Sequence, residues 1–387
     1  MLLCYVIMQL QSKLPNIGTT IFTVMSALAR EHNAINLSQG FPDFGCDPHL
    51  LELAQKYMQA GFNQYAPMQG VLPLRERIAG IIQNCYNAKY DPDSEITITA
   101  GATQGIYTAI AATINKGDEV IVFEPAYDCY VPAIEVHGGI AVPLQLTYPG
   151  FTINWDEVKQ KVNARTRMII INTPHNPSGT VLNENDLSQL QNIVAEKNIL
   201  VVSDEVYEHM AFDGKPHQSV ARYAQLRKQS FIISSFGKTV HTTGWKIGYV
   251  AAPKELMAEF RKVHQFLVFA VNHPFQLALS DFLADPKNYL ALKNFYQEKR
   301  DRFQNLISSS RFTIEPCTGT YFQLLNYKKI SEEKDTDFAI RLTKEKKLAS
   351  VPLSVFYTKQ TDNKLLRFCF AKKDETLEQA AGIINSL

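Results

Sequence analysis

Lys238 follows Ser235 by three residues and precedes Lys246 by eight, within Ser234-Ser235-Phe236-Gly237-Lys238-Thr239. A lysine closing an apolar run is ordinarily a surface cation. Desolvated beside other cations, it becomes a nucleophilic amine able to form a Schiff base. Asp204 directly follows another apolar run and opens Asp204-Glu205-Val206-Tyr207. Such a carboxylate is commonly a helix cap or half of an ion pair; the functional alternative is an anion facing a ring nitrogen that must stay protonated. Asn176, in Thr173-Pro174-His175-Asn176-Pro177-Ser178-Gly179, and Tyr207 are routine turn and packing residues singly. Jointly they could hydrogen-bond a phenolate oxygen.

A fourth apolar run feeds Gly101-Ala102-Thr103-Gln104 and then a helical pattern. Alone this is a plain strand-to-helix turn. Its free backbone N–H groups and the positive end of the helix dipole also suit a phosphate. Ser235 and Lys246 could add a hydroxyl and a charge to that phosphate. Gly237-Lys238-Thr239 is not a nucleotide phosphate loop, because that motif needs a glycine five residues before Gly237 and Ile232 stands there.

Positioning these groups takes a sheet. Short runs rich in Ile, Val and Thr occupy 96–100, 120–123, 140–146, 168–172, 200–203, 231–235 and 248–252. Helical patterns at 102–114, 156–162 and 184–197 lie between several of them. Continuously apolar strands separated by helices predict a mostly parallel sheet covered on both faces. Ligands of such sheets sit outside the carboxyl ends of the strands, where the four sets of residues above fall. After Pro253 the texture changes to helices at 255–269, 273–283 and 289–308, strands at 320–325 and 365–370, and a closing helix from Asp374, read as a smaller α+β region. The expected division is a large α/β domain at 46–283, with 1–45 and 284–387 as an N-terminal segment and a small C-terminal domain. The first 45 or so residues show no sheet pattern of their own and are expected to wrap back onto these domains.

The chain has 387 residues, 45% apolar, with 39 basic against 38 acidic side chains. A net charge of +1 excludes a broad polybasic footprint, so nucleic acid is not an expected partner. Cys4, Cys46, Cys85, Cys129, Cys317 and Cys369 stand far apart with no C-x-x-C pair, which argues against a metal site and suits a reducing cytoplasm. No apolar run approaches the roughly 18 residues of a membrane span. The apolar start, Met1 to Met8, lacks the basic region and cleavage site of a signal peptide and is expected to be an irregular extension, with Met8 as an alternative start.

The motifs resemble those of class I pyridoxal 5′-phosphate (PLP) aminotransferases of the fold-type I group, over essentially the whole chain. They are Asn36-Leu37-Ser38-Gln39-Gly40-Phe41-Pro42-Asp43, Gly101-Ala102-Thr103-Gln104, Asn176-Pro177-Ser178-Gly179, Ser203-Asp204-Glu205-Val206-Tyr207, Ser234-Ser235-Phe236-Gly237-Lys238-Thr239, Thr243-Gly244-Trp245-Lys246 and Arg367-Phe368-Cys369-Phe370. Within that family the text is most similar to the kynurenine/glutamine aminotransferase branch and its bacterial methionine-preferring members.

The resemblance implies an aspartate aminotransferase-like α/β fold and a dimer with shared active sites. It also implies transfer of an amino group from a neutral apolar or aromatic L-amino acid, with methionine favoured and aromatic amino acids, kynurenine or glutamine as further candidates, to a 2-oxo acid in two half-reactions. Lys238 would hold the cofactor as a Schiff base and shuttle a proton, Asp204 would pair with the ring nitrogen, and Asn176 and Tyr207 would bond the ring hydroxyl oxygen. Tyr127 would stack on the ring. The phosphate would lie on Gly101, Ala102, Thr103 and Gln104, with Ser235, Lys246 and a partner subunit's Tyr65. Arg367 would grip the substrate carboxylate with Asn176 and the Gly40 backbone, while Phe22 and Tyr65 face the substrate side chain. Two positions depart from the family: some members carry Arg in place of Lys246, and related enzymes often carry Trp in place of Phe22. Two other readings share these residues: a β-lyase acting on cysteine S-conjugates or cystathionine, and a non-catalytic PLP-binding module.

Overall fold

The structure, a computed structural model, describes residues 10–195 and 197–387; the expectation for Met1 to Met8 lies outside them. In chain order the strands are β1 (Ile35–Asn36), β2 (Ile96–Thr99), β3 (Glu119–Glu124), β4 (Ile140–Gln145) and β5 (Thr166–Asn172). They continue with β6 (Leu200–Asp204), β7 (Ser230–Ser235), β8 (Gly248–Ala251), β9 (Thr313–Ile314) and β10 (Phe322–Asn326). The last three are β11 (Leu348–Ala349), β12 (Val351–Pro352) and β13 (Leu365–Cys369).

Seven strands build the main sheet in the order β2-β8-β7-β6-β5-β3-β4. β3, β4, β5, β6 and β7 pair in parallel, while β8 runs antiparallel to both β7 and β2. β2 therefore points the same way as β7, and its carboxyl end reaches the same edge as those of β5 and β6. Side chains alternate between two cores, as a period of two requires. Val120, Val122, Met168, Ile170, Val202 and Ile233 meet the helix Ala102–Thr113 on one face. Ile121, Phe123, Ile169, Ile171, Val201 and Ile232 share the other core with Leu187 and Leu190. This fits the mostly parallel sheet read from the sequence; β4, the outermost strand, is only partly covered, with Ile140 exposed.

The second sheet, β12-β13-β10-β9, is antiparallel and sets Arg367 opposite Leu324 and Val351. Its core of Leu325, Leu366, Phe368, Phe338 and Phe303 also takes in Met25 and Leu37. The N-terminal segment wraps back onto the rest of the chain, as expected, and in doing so adds a short strand that the sequence did not show: β1 pairs in parallel with β11, and Cys369 N donates to Leu37 O at 2.8 Å. Two-residue strands carry no periodicity from which to read them. The helical pattern at 289–308 divides into Lys287–Leu290 and Leu292–Leu306, and the one at 184–197 stops at Val194, where Ala195 turns extended. We propose that the division at 45/46 and 283/284 stands, since the second core is built mainly from Met25, Leu37 and residues from Leu292 on, with Tyr207, Met210 and Phe212 packed into it from the large domain. No helix among the described residues is long and apolar enough to cross a membrane.

Candidate active site

A cavity of about 230 Å³ opens where β2, β5, β6 and β7 end and β10 and β13 of the second sheet close over them. At one end, Gly101 caps the helix Ala102–Thr113 with φ +79 and no side-chain hydrogen bond, leaving the first-turn N–H groups to the cavity. A Cβ on Gly101 would stand 3.3 Å from Lys246 Nζ, so the ammonium overhangs that helix start. Lys246 itself sits in the left-handed region at φ +55, and Ser235 lines the same end. Thr103 Oγ1 lies 3.3 Å from the Tyr127 hydroxyl, which holds that ring against the cavity.

Gln104 is not part of this lining. Its Oε1 accepts from Ala100 N at 2.9 Å and its Nε2 reaches Thr108 Oγ1 at 2.6 Å and His264 Nδ1 at 3.1 Å. It fixes the turn that presents the neighbouring N–H groups, and it does not touch the space where a phosphate would sit. As the third residue of its helix, it bridges Ala100 ahead of the helix and Thr108 one turn further along.

At the other end Asp204 is 3% exposed and accepts from the Tyr130 hydroxyl at 2.5 Å and from Val206 N at 3.3 Å. Burial raises its carboxyl to about 6, against the lowering pull of those two donors. Asn172 ties β5 to β6 by donating to Asp204 O at 2.9 Å and accepting from Asn176 N at 2.8 Å. Behind the site, Glu208 accepts from the hydroxyls of Tyr86, Ser234 and Tyr249, and Glu205 takes Ser203 Oγ at 2.7 Å and His217 Nε2 at 2.8 Å. These buried pairs lock the ends of β6, β7 and β8 that carry Asp204 and Ser235. Tyr130, Asn172, Glu205 and Glu208 escaped the sequence reading; only their adjacency to Tyr127, Asn176 and Asp204 could have flagged them.

Lys238 Nζ donates to Gly40 O at 3.0 Å and to the Tyr321 hydroxyl at 2.7 Å. Desolvation brings its amine down to about 8; Arg367 and Lys246 push the same way, Cys369 and Asp204 against. Burial raises the Tyr207 hydroxyl far above the ordinary phenol range, so it remains a donor. Arg367 is 1% exposed, with its guanidinium 3.9 Å from the Phe322 ring centre and 5.2 and 5.3 Å from those of Phe22 and Phe356. Nη1 donates to Asn176 Oδ1 at 2.6 Å and Nη2 to Ser38 O at 3.2 Å, while Nε has no partner. Burial lowers its pKa to about 10. Gly40 must lack a side chain, since a Cβ would fall 2.8 Å from Phe322 Cζ.

Of the residues singled out in the sequence, Lys238, Asp204, Tyr207, Asn176, Tyr127, Gly101, Ala102, Thr103, Ser235, Lys246, Arg367, Gly40 and Phe22 line this one cavity. Tyr65 does not. It is 79% exposed and packs edge-on against Phe269, on the outer surface. A buried carboxylate, an orphaned guanidinium N–H, a depressed amine and an uncapped helix start under an ammonium match a ring cation, a carboxylate, an aldehyde and a phosphate. That set fits PLP together with an α-amino acid.

The fold and the cavity define an aminotransferase. The chain belongs to the family described as class I and II aminotransferases, whose match spans residues 32–384. It is 51% identical to the methionine aminotransferase of Escherichia coli (strain K12), an alignment covering 97% of this chain and 98% of that one. A crystal structure from E. coli, for the protein YbdL with a methionine aminotransferase function, superposes with a TM-score of 0.95 at 50% identity, covering 98% and 100% of the two chains. Human kynurenine–oxoglutarate transaminase 3 is 31% identical, with 97% of this chain and 89% of that one covered.

Proposed function

We propose that this chain transfers the amino group of methionine, and of other neutral apolar or aromatic amino acids, to a 2-oxo acid, with PLP held in the cavity described above. Bound there, PLP supplies a carbonyl for amine exchange and an electron sink for negative charge at the substrate Cα. Lys238 anchors it through Nζ and carries the proton to and from that Cα; its pKa of about 8 keeps both protonation states accessible near neutral pH. Asp204, an anion once paired, holds the proton on the ring nitrogen. Asn176 and Tyr207 donate to the phenolate oxygen, and Tyr127 covers the ring. Ala102 and Thr103 N–H groups, Ser235 and Lys246 bind the phosphate, joined by Tyr65 of the partner subunit in a homodimer.

Arg367 receives the substrate carboxylate in a bidentate fork, assisted by Asn176 and the Gly40 backbone. The observation that carries the substrate assignment is what surrounds it: Phe22, Phe322 and Phe356, with Lys238, Lys246 and Arg367 as the only cations lining the cavity among the described residues. A second carboxylate would be desolvated there without a partner, at a cost of kcal/mol order. The 51% identity to a methionine aminotransferase supports the same choice.

The test is kcat/KM for methionine against aspartate with one 2-oxo acid acceptor. Methionine is expected to lead by at least ~10²-fold, about 2.7 kcal/mol of transition-state discrimination. Aspartate as the better donor would overturn the assignment. Pyruvate and ammonia released from cystathionine at a higher rate, with no oxo acid present, would identify a lyase instead.

A further inference from the structure

Tyr321 has no part in the reading above, yet its hydroxyl is among the two groups nearest the reacting nitrogen. It lies 2.7 Å from Lys238 Nζ and itself donates to Gly40 O, the second partner of that nitrogen. The three atoms form a closed triangle of hydrogen bonds. Each corner is fixed independently. Gly40 cannot shift toward Phe322, where even a Cβ would clash. The Tyr321 ring is 1% exposed and packed edge-on against Tyr207 at 5.2 Å and Phe322 at 4.9 Å. Since the hydroxyl hydrogen points at Gly40 O, its lone pair is what meets the amine.

We propose that the Tyr321 hydroxyl and the Gly40 carbonyl form a seat for the free amine of Lys238, holding it protonated beside the substrate Cα whenever it is not bonded to the cofactor carbonyl. Tyr321 is thereby a catalytic residue that acts as a neutral acceptor. Burial raises its hydroxyl well above the ordinary phenol range, so it does not itself give up a proton to solvent. The other groups facing the amine are Asp204 and Tyr207 at the end of β6, Lys246 before β8, and Arg367 and Cys369 on β13. Two of these are cations that expel a proton from Nζ. The seat opposes them and retains the proton that must be returned to carbon. This rests on Lys238 being the cofactor lysine.

The test uses the whole protein freed of cofactor. Recombination with PLP is followed from pH 6 to 10, and the midpoint of its rate reports the amine, because only the free base attacks. In wild type the midpoint is expected near 8. Tyr321→Phe keeps the ring and removes the acceptor, so its midpoint is expected about one unit lower, a tenfold change in proton affinity. Tyr296→Phe removes a neighbouring buried hydroxyl that has no partner and should leave the midpoint in place. A Tyr321→Phe midpoint within about 0.3 unit of wild type, or above it, overturns the proposal. Should that variant not fold, a crystal structure of the cofactor-free wild type decides: Nζ within hydrogen-bond distance of the Tyr321 hydroxyl supports the seat, and Nζ elsewhere refutes it. Borohydride reduction and peptide mapping separate the two readings, because a label away from Lys238 fails the proposed function itself, whereas a Lys238 label with an unmoved midpoint fails only the seat.

Discussion

Asp204→Asn separates charge from shape at the buried end of the cavity. Without cofactor the carboxylate is a liability: burial raises it from 3.8 to about 6, so the folded protein binds a proton more tightly than the unfolded chain does. A group raised in this way contributes stability that is complete below the unfolded pKa and lost as pH rises through the folded one. Between pH 5 and pH 7.5 the linkage relation gives a loss of about 1.4 kcal/mol, which the Asn variant, keeping the Tyr130 contact, does not suffer. Urea unfolding of both cofactor-free proteins at the two pH values reads that double difference directly. With cofactor the order reverses. Losing a charge-assisted hydrogen bond to the ring nitrogen should weaken PLP binding by roughly 10- to 150-fold, the equivalent of about 1.5–3 kcal/mol. Turnover should fall further, and Asp204→Glu should retain more of it than Asp204→Asn. A stability difference that ignores pH, or equal PLP affinity in both proteins, would refute the reasoning that Asp204 is held ready for a cation.

Phe22→Trp enlarges the wall beside Arg367 and should shift the ratio of kcat/KM for phenylalanine and methionine by roughly 10- to 200-fold without abolishing transfer, since pocket walls of this kind discriminate by ~1–3 kcal/mol. Mixing Tyr65→Phe subunits with Lys238→Ala subunits should give a hybrid dimer with one site keeping both native residues, active where the Lys238→Ala parent is not; full activity in a monomer by sedimentation would exclude the shared site.

The strand ends were legible because the chemistry is local there. A small loop after β2, Asn176 after β5, Asp204 closing β6 and Lys238 just past β7 each follow a continuously apolar run, the mark of a strand buried on both faces. What stayed hidden acts across distance. Tyr130 reaches Asp204 over 74 positions and Tyr321 reaches Lys238 over 83, and no spacing announces either contact. The aromatic wall combines Phe22, Phe322 and Phe356, which meet only because β13 places Arg367 among them. Gln104 shows the converse: adjacency to a phosphate-ready turn suggested a binding role, but its side chain serves its own helix and His264.

The central claim is that the methionine nitrogen passes through Lys238 chemistry to a second carbon skeleton. Incubating the holoenzyme with ¹⁵N-methionine and an unlabelled 2-oxo acid, with mass spectrometry of all products, tests it directly. Label should appear in the new amino acid in equal amount to the oxo acid formed from methionine, and Lys238→Ala should cut that transfer by at least ~10²-fold. Label released as ammonia, or transfer undiminished in Lys238→Ala, would contradict it.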